Sequence, residues 1–161
     1  MTGTGRAPAA PPAVRLAASP AERAACIALR FRVFVDEQRV PPEEEVDAHD
    51  AAAPFLVALG PAPAAPAGEP SVLGTARVVF IDGGACAKIG RVAVERAERG
   101  RGIGLALVAE AVALAARHGA REAVLDAQVP ALDFYARLGF RAEGPEFLDC
   151  NIPHRRMRRV L

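Results

Sequence analysis

Gly100, Gly102 and Gly104 fall at every second position just ahead of an apolar helical stretch, with Arg99 and Arg101 interleaved. Glycine there costs backbone entropy, roughly 0.5–1 kcal/mol per position against alanine. The start of a helix offers unpaired N–H groups and a partial positive charge, which phosphates bind readily. Bare backbone lets several of those amides reach a diphosphate at once, and the arginines add charge at the rim. A Walker loop needs Gly-Lys-Ser/Thr at its end, and here Leu105 follows Gly104. A Rossmann fingerprint needs a third glycine where this chain has Leu105 or Leu107. Spacing alone leaves a diphosphate cradle and a functionless glycine-rich connection equally open.

Two other charged stretches invite chemistry. "PPEEEVDAHD" gathers Glu43, Glu44, Glu45, Asp47, His49 and Asp50. It has no defined metal-ligand spacing, so a solvated loop is expected rather than a metal site. "HRRMRR", near the C-terminus, reads as arginines alternating on the solvent face of an edge strand. Cys26, Cys86 and Cys150 are far apart and form no C-x-x-C pair, a pattern of free, mostly buried thiols in a reducing compartment. Nothing near Cys150 marks it as a nucleophile, and a buried, inert thiol is expected there.

Stepping outward, the elements that must position these groups are legible in periodicity and turn residues. Residues 1–13, rich in Ala, Pro and Gly, are expected to be a disordered tail ahead of one domain spanning 14–161. "VRLAA" reads as a short strand, and "SPAERAACIALRFRVFV" as a helix capped by Ser19, with Pro20 in its first turn and Glu22 completing a capping box. "FLVAL" is a strand and "GPAPAAPAGEP" a stiff exposed loop. "VLGTARVVFI", "DGG" and "ACAKIGRVAV" form a hairpin of long strands. A helix over Gly102–His118, strand "EAVLDAQ", helix "PALDFYARLG", strand "FRAEG" and a terminal strand complete the chain. This order predicts an α/β fold with a mixed sheet covered by helices.

Bulk composition narrows the partners. The chain has 161 residues, enough for one core, and a net charge of +1, which argues against a nucleic-acid-binding surface. No apolar run approaches the roughly 18 residues a membrane span needs, and no signal-peptide core is present, so a cytoplasmic protein is expected.

"RGRGIG", Arg99 to Gly104, resembles the Arg/Gln-x-x-Gly-x-Gly/Ala loop of the GCN5-related N-acetyltransferase (GNAT) superfamily, where it likewise joins a long strand to a helix. "LDAQVPALDFYARLGF", Leu125 to Phe140, is similar to that family's strand–helix block ending in Phe-Tyr-x-x-x-Gly-Phe. "LRFRVFVDEQRVP" and "NIPHRRM" resemble its ElaA/YjcF-like bacterial branch. The resemblance implies the GNAT fold, a central mixed, mostly antiparallel sheet flanked by helices, and acetyl transfer from acetyl-CoA to an amine.

The resemblance also implies roles by position. Val92, Ala93 and Val94 would line the thioester and pantetheine arm, and a main-chain N–H there would stabilise the developing oxyanion. Arg99, Gly100, Arg101, Gly102, Ile103, Gly104 and Leu105 would hold the pyrophosphate of coenzyme A. Tyr135, the chain's one tyrosine, falls on the general-acid position; a phenol with a pKa of about 10 is protonated at neutral pH. Phe31, Glu37, Gln38 and His154 would line the acceptor site. The base stays open among Glu37, His49, His154 and a water chain. The partner is a small-molecule or peptide amine, with neither nucleic acid nor membrane, and a homodimer is allowed. A noncatalytic acyl-CoA-binding or sensing module is the alternative reading.

Overall fold

Ser19 accepts the Glu22 N–H at 3.1 Å, and Pro20 opens helix α1, Pro20–Arg30, in this computed structural model, which describes residues 12–61 and 69–161. The Glu22 carboxylate reaches one residue further back than a capping box requires, taking the Ala18 N–H and a bidentate contact from Arg15. Most of the expected tail, residues 1–11, lies outside the described residues, as does most of the proline-rich loop.

Among the described residues seven strands make one sheet: β1 (Val14–Leu16), β2 (Phe55–Leu59), β3 (Val72–Ile81), β4 (Cys86–Val94), β5 (Glu122–Gln128), β6 (Arg141–Asp149) and β7 (Ile152–Val160). Their spatial order is β1-β2-β3-β4-β5-β7-β6. Every pairing is antiparallel except β4 with β5. That parallel pairing stops after three positions, the last being Lys88 opposite Val124. Beyond it the two strands part, leaving a cleft with unladdered main chain on both walls among the described residues.

Alternating side chains divide the core between the sheet's faces. Leu56, Ala58, Val78, Ile89, Ala123 and Leu125 pack beneath helix α3, Ile103–Arg117, through Ile103, Leu107, Val108 and Ala111. Phe55, Val57, Val72 and Ala93 face the other way, onto Cys26, Leu29 and Val33. The short helix α4, Leu132–Ala136, brings Phe134 and Tyr135 against the first cluster.

Three expectations change. The first helix does not continue as an α-helix: Phe31–Glu37 winds into a π-helical stretch. The terminal arginines lie on β7, which is paired on both sides by β5 and β6, so the edge strand at that end of the sheet is β6. The acidic stretch is no solvated loop. It forms a short helix α2, Pro42–Glu45, and a 3-10 turn, Ala48–Ala51, whose Glu45 and Asp50 are buried.

Candidate active site

The glycine loop leaves six consecutive amides free. From Gly100 through Leu105 no main-chain N–H finds a partner among the described residues, and the first helical bond of α3 runs from Ala106 N–H to the Gly102 carbonyl at 3.0 Å. Gly100 and Gly102 have φ of 82° and 81°, a left-handed backbone that turns the chain while keeping it bare. Gly100, Arg101 and Gly102 are exposed, Ile103 is buried as the first core residue of α3, Gly104 is half-buried and Leu105 is exposed. Arg101 pairs with Glu98, and Arg99 binds the Val94 carbonyl at 3.1 Å and the Glu37 carboxylate at 2.9 Å. These amides fit the paired phosphates of a coenzyme A; the exposed loop offers several donors at one helix start.

A cavity of about 720 Å³ opens on the α1 side of the sheet, beside the cleft. Gly90, Arg91 and Val92 of β4, Asp126 and Gln128 of β5, and Tyr135 contribute to its lining. At Arg91 and Val92 the strand bulges: Thr75 pairs with Ala93 and Arg77 with Gly90, so one residue of β3 spans two of β4. Arg91 itself has φ 51°. Its guanidinium holds the Glu45 carbonyl at 3.2 Å and the Glu45 carboxylate at 3.4 Å, tying the bulge to α2.

That tie belongs to a buried ionic cluster. Arg30 binds Glu45 at 2.8 Å and Asp50 at 2.7 Å, and Arg77 binds Asp47 at 2.7 Å and Asp50 at 2.9 Å. Burial alone would raise the Asp50 carboxyl, but hydrogen bonds from Arg30 and the Asp47 amide hold it well below its ordinary value. For Asp47, Arg77 likewise outweighs burial. Burial prevails at Glu45, whose carboxyl is raised despite Arg30. Arg77 Nε is the one buried side-chain nitrogen or oxygen without a partner among the described residues.

Tyr135 lies with its ring edge-on to Phe134 and Phe140, and burial pushes its hydroxyl up to about 12. The hydroxyl makes no hydrogen bond among the described residues. His154 is buried, stacked on Phe147, with Nδ1 2.7 Å from the Ile152 carbonyl. A carbonyl can only accept, so Nδ1 carries the proton and Nε2 of the neutral ring keeps a lone pair. Gln38 and Gln128 are joined at 2.8 Å, and Gln128 sits opposite His154 in the sheet.

The cavity therefore gathers Gln38, His154, His49 and Tyr135. Glu37 and Phe31 are not in its wall: Glu37 is bound to Arg99, and Phe34 lines the space instead. Ala93 is buried in the core beneath α1, while Val92 and Val94 are half-buried along the cleft. Cys150 is only half-buried, in the β6–β7 turn with φ 49°, and it lines the cavity mouth. Burial and the adjacent Asp149 raise its thiol, so it stays protonated. Sequence reasoning passed over Lys88, Arg91, Asp126, Gln128 and Arg156. Alternation along β5 and β7 places Asp126, Gln128, His154 and Arg156 on one face, which is the signal that finds them.

Residues 24–140 match the family model described as Acetyltransferase (GNAT) family. The chain belongs to that family. YjcF, an uncharacterized N-acetyltransferase of Bacillus subtilis (strain 168), is 35% identical over 130 residues, covering 80% of this chain and 86% of YjcF. An acyl-CoA N-acyltransferase from Pseudomonas aeruginosa superposes with a TM-score of 0.76 at 30% identity, covering 91% of this chain and 98% of its own. Escherichia coli ElaA shares the fold, with a TM-score of 0.74 at 24% identity and coverage of 91% and 99%. These matches fit the ElaA/YjcF-like branch. As a GNAT member the chain is an acetyl-CoA-dependent N-acetyltransferase. No described helix is long and apolar enough to cross a membrane.

Proposed function

We propose that this chain transfers an acetyl group directly to an amine seated in the sheet-face cavity, with Tyr135 as proton donor to the departing thiolate. The six free amides from Gly100 to Leu105 are the observation that carries the reading, since they give a nucleotide diphosphate its hold. Bound acetyl-CoA supplies the acyl thioester and a sulfur leaving group. Arg99 and Arg101 stand at the loop's rim, each paired with a carboxylate, Glu37 and Glu98, that a diphosphate must displace to gain their charge. Val92 and Val94 direct the pantetheine arm along the open edge of β4, towards the bulge at Arg91. Main-chain N–H groups of that edge are the donors available to a thioester carbonyl.

On the acceptor side, Gln38 and Gln128 offer amide donors and acceptors beside His154. His154 Nε2 takes the proton that an ammonium must lose before it can attack, and the second proton, shed by nitrogen as the amide forms, replaces the one Tyr135 gives to sulfur. Fixing amine and thioester on one rigid sheet supplies much of the rate by orientation. Glu37, through Arg99, joins the acceptor wall to the cofactor loop.

A thermal-shift series followed by turnover tests the reading. Acetyl-CoA at 100 times its Kd should stabilise the chain by about 2.7 kcal/mol, and NADH or ATP should not. Thiol release should then depend on added amine. Stabilisation without turnover across an amine panel would return the chain to the alternative, an acyl-CoA-binding module.

A further inference from the structure

Lys88, Asp126 and Arg156 stand together in the cavity lining, where the β4–β5 cleft closes, and the acetyl transfer makes no use of them. Lys88 Nζ is 3.3 Å from Asp126, and Arg156 grips the same carboxylate through Nε and Nη2. Two cations thus share one anion. Their side chains are 44% and 38% exposed, so both are reachable from the cavity. Arg156 Nη1 makes no hydrogen bond among the described residues, and the Lys88 ammonium has donors beyond its single ion pair.

The positive excess is local. Arg77 and Arg91 also line the cavity, but Glu45, Asp47 and Asp50 take up their charge. Further out on β7, Arg158 is held by two carboxylates, Glu122 and Glu143, which reverses the balance. At the mouth, Glu44 and Asp149 are exposed and form no ion pair among the described residues. The lining thus carries unpaired acid at Glu44 and Asp149 and a positive excess at Lys88 and Arg156.

We infer that the acceptor is a small amine bearing an anionic group, a carboxylate or phosphonate-like oxyanion, that Lys88 and Arg156 bind together. This rests on the cavity being the acceptor site. Its amine lies beside His154 and Tyr135. Asp126 and Arg156 are one strand repeat, about 6.6 Å, from Gln128 and His154, so several bonds separate amine from anion. Charge-assisted hydrogen bonds from a guanidinium and an ammonium give such a group orientation as well as attraction.

Initial rates of thiol release from acetyl-CoA, measured on the full chain with four matched amines, test this. 4-Aminobutyrate or 3-aminopropylphosphonate should exceed butylamine in kcat/KM by about ten-fold or more, chiefly through KM, with putrescine weakest. Which of the two anionic amines leads identifies the oxyanion. Lys88→Met should shrink the anionic-to-neutral ratio about ten-fold, Lys88→Arg should keep it, and Lys88→Glu should turn the preference to putrescine. Equal rates for anionic and neutral amines, or putrescine leading in the unmodified chain, overturns this inference and leaves acetyl transfer standing. Failure to acetylate any amine, with no stabilisation by acetyl-CoA, removes both.

Discussion

Tyr135 must give a proton, and burial makes it reluctant. Its hydroxyl sits at about 12, whereas a thiol of ordinary pKa, near 8.5, leaves as a comparatively stable thiolate. Transfer from that phenol therefore runs uphill: its hydrogen bond tightens as charge grows on sulfur, and the proton passes only late, once the carbon–sulfur bond has largely broken. Tyr135→Phe should therefore lower kcat by roughly 100-fold while the acetyl-CoA Kd moves less than about two-fold. Intact turnover in that variant would take the residue out of the mechanism. Because the folded pKa is raised, the hydroxyl stays protonated at every pH below about 12, and kcat should show no tyrosine-linked fall between about pH 7 and 10. An alkaline limb near 10 that vanishes in Tyr135→Phe would contradict the burial argument. His154→Asn keeps a donor at the Nδ1 position for the Ile152 carbonyl but cannot accept the ammonium proton. Its kcat/KM should drop about 10- to 100-fold at neutral pH and recover towards pH 10, as free amine accumulates. A uniform loss at all pH values would assign His154 to packing alone.

At the scale of the element, the three loop glycines separate by physical role. Gly100 and Gly102 hold a left-handed backbone at which an L side chain costs about 1–2 kcal/mol, whatever space surrounds it. A Cβ at Gly104 would meet Phe134 at 3.5 Å and Val94 at 3.7 Å, which is ordinary contact. Gly102→Val should therefore weaken acetyl-CoA binding at least ten-fold by calorimetry, and Gly104→Ala should weaken it far less. Equal effects at the two positions would mean that bare amides are not what the loop provides. This loop was legible because its signal is local: glycine spacing, a preceding strand and a following apolar helix. The π-helical stretch at Phe31–Glu37 was not, since no periodicity in those residues separates it from an α-helix. Glu37 read as an acceptor residue because its neighbours did, yet it is bound to Arg99, a residue 62 positions away. The place of β7 inside the sheet was hidden too. Its arginines looked like edge protection, and only the pairing with both β5 and β6 shows that they instead furnish Arg156 to the cavity.

Across the whole molecule, the acidic stretch after the double proline shows how charge distant in sequence settles the site's shape. Glu45, Asp47 and Asp50 read as solvated because their partners Arg30, Arg77 and Arg91 come from α1, β3 and β4. Brought together, the six bind the cavity's acidic wall to the bulge of β4. Such clusters contribute little net stability compared with a hydrophobic replacement, but breaking one is costly because it strands buried charge. Arg30→Met should destabilise by about 3–5 kcal/mol, and adding Glu45→Gln should restore part of it, giving a coupling of about 0.5–3 kcal/mol in a double-mutant cycle. Strict additivity in urea titrations would show the two side chains to be independent. Acid supplies a second measure. Asp47 and Asp50 have folded pKa values below their unfolded ones, so their stabilisation is full above the unfolded carboxylate range, near 3.9, and is lost as pH falls through the folded values. Glu45 is raised and acts in the opposite sense: its contribution is full below the unfolded value and is lost as pH rises through the folded one. Two lowered aspartates against one raised glutamate predict urea midpoints that drop below about pH 4, and Arg77→Met, which leaves Asp47 only its 3.5 Å contact with Arg91 and takes one partner from Asp50, should flatten that acid limb. A limb of unchanged steepness in Arg77→Met would place the acid sensitivity elsewhere in the chain.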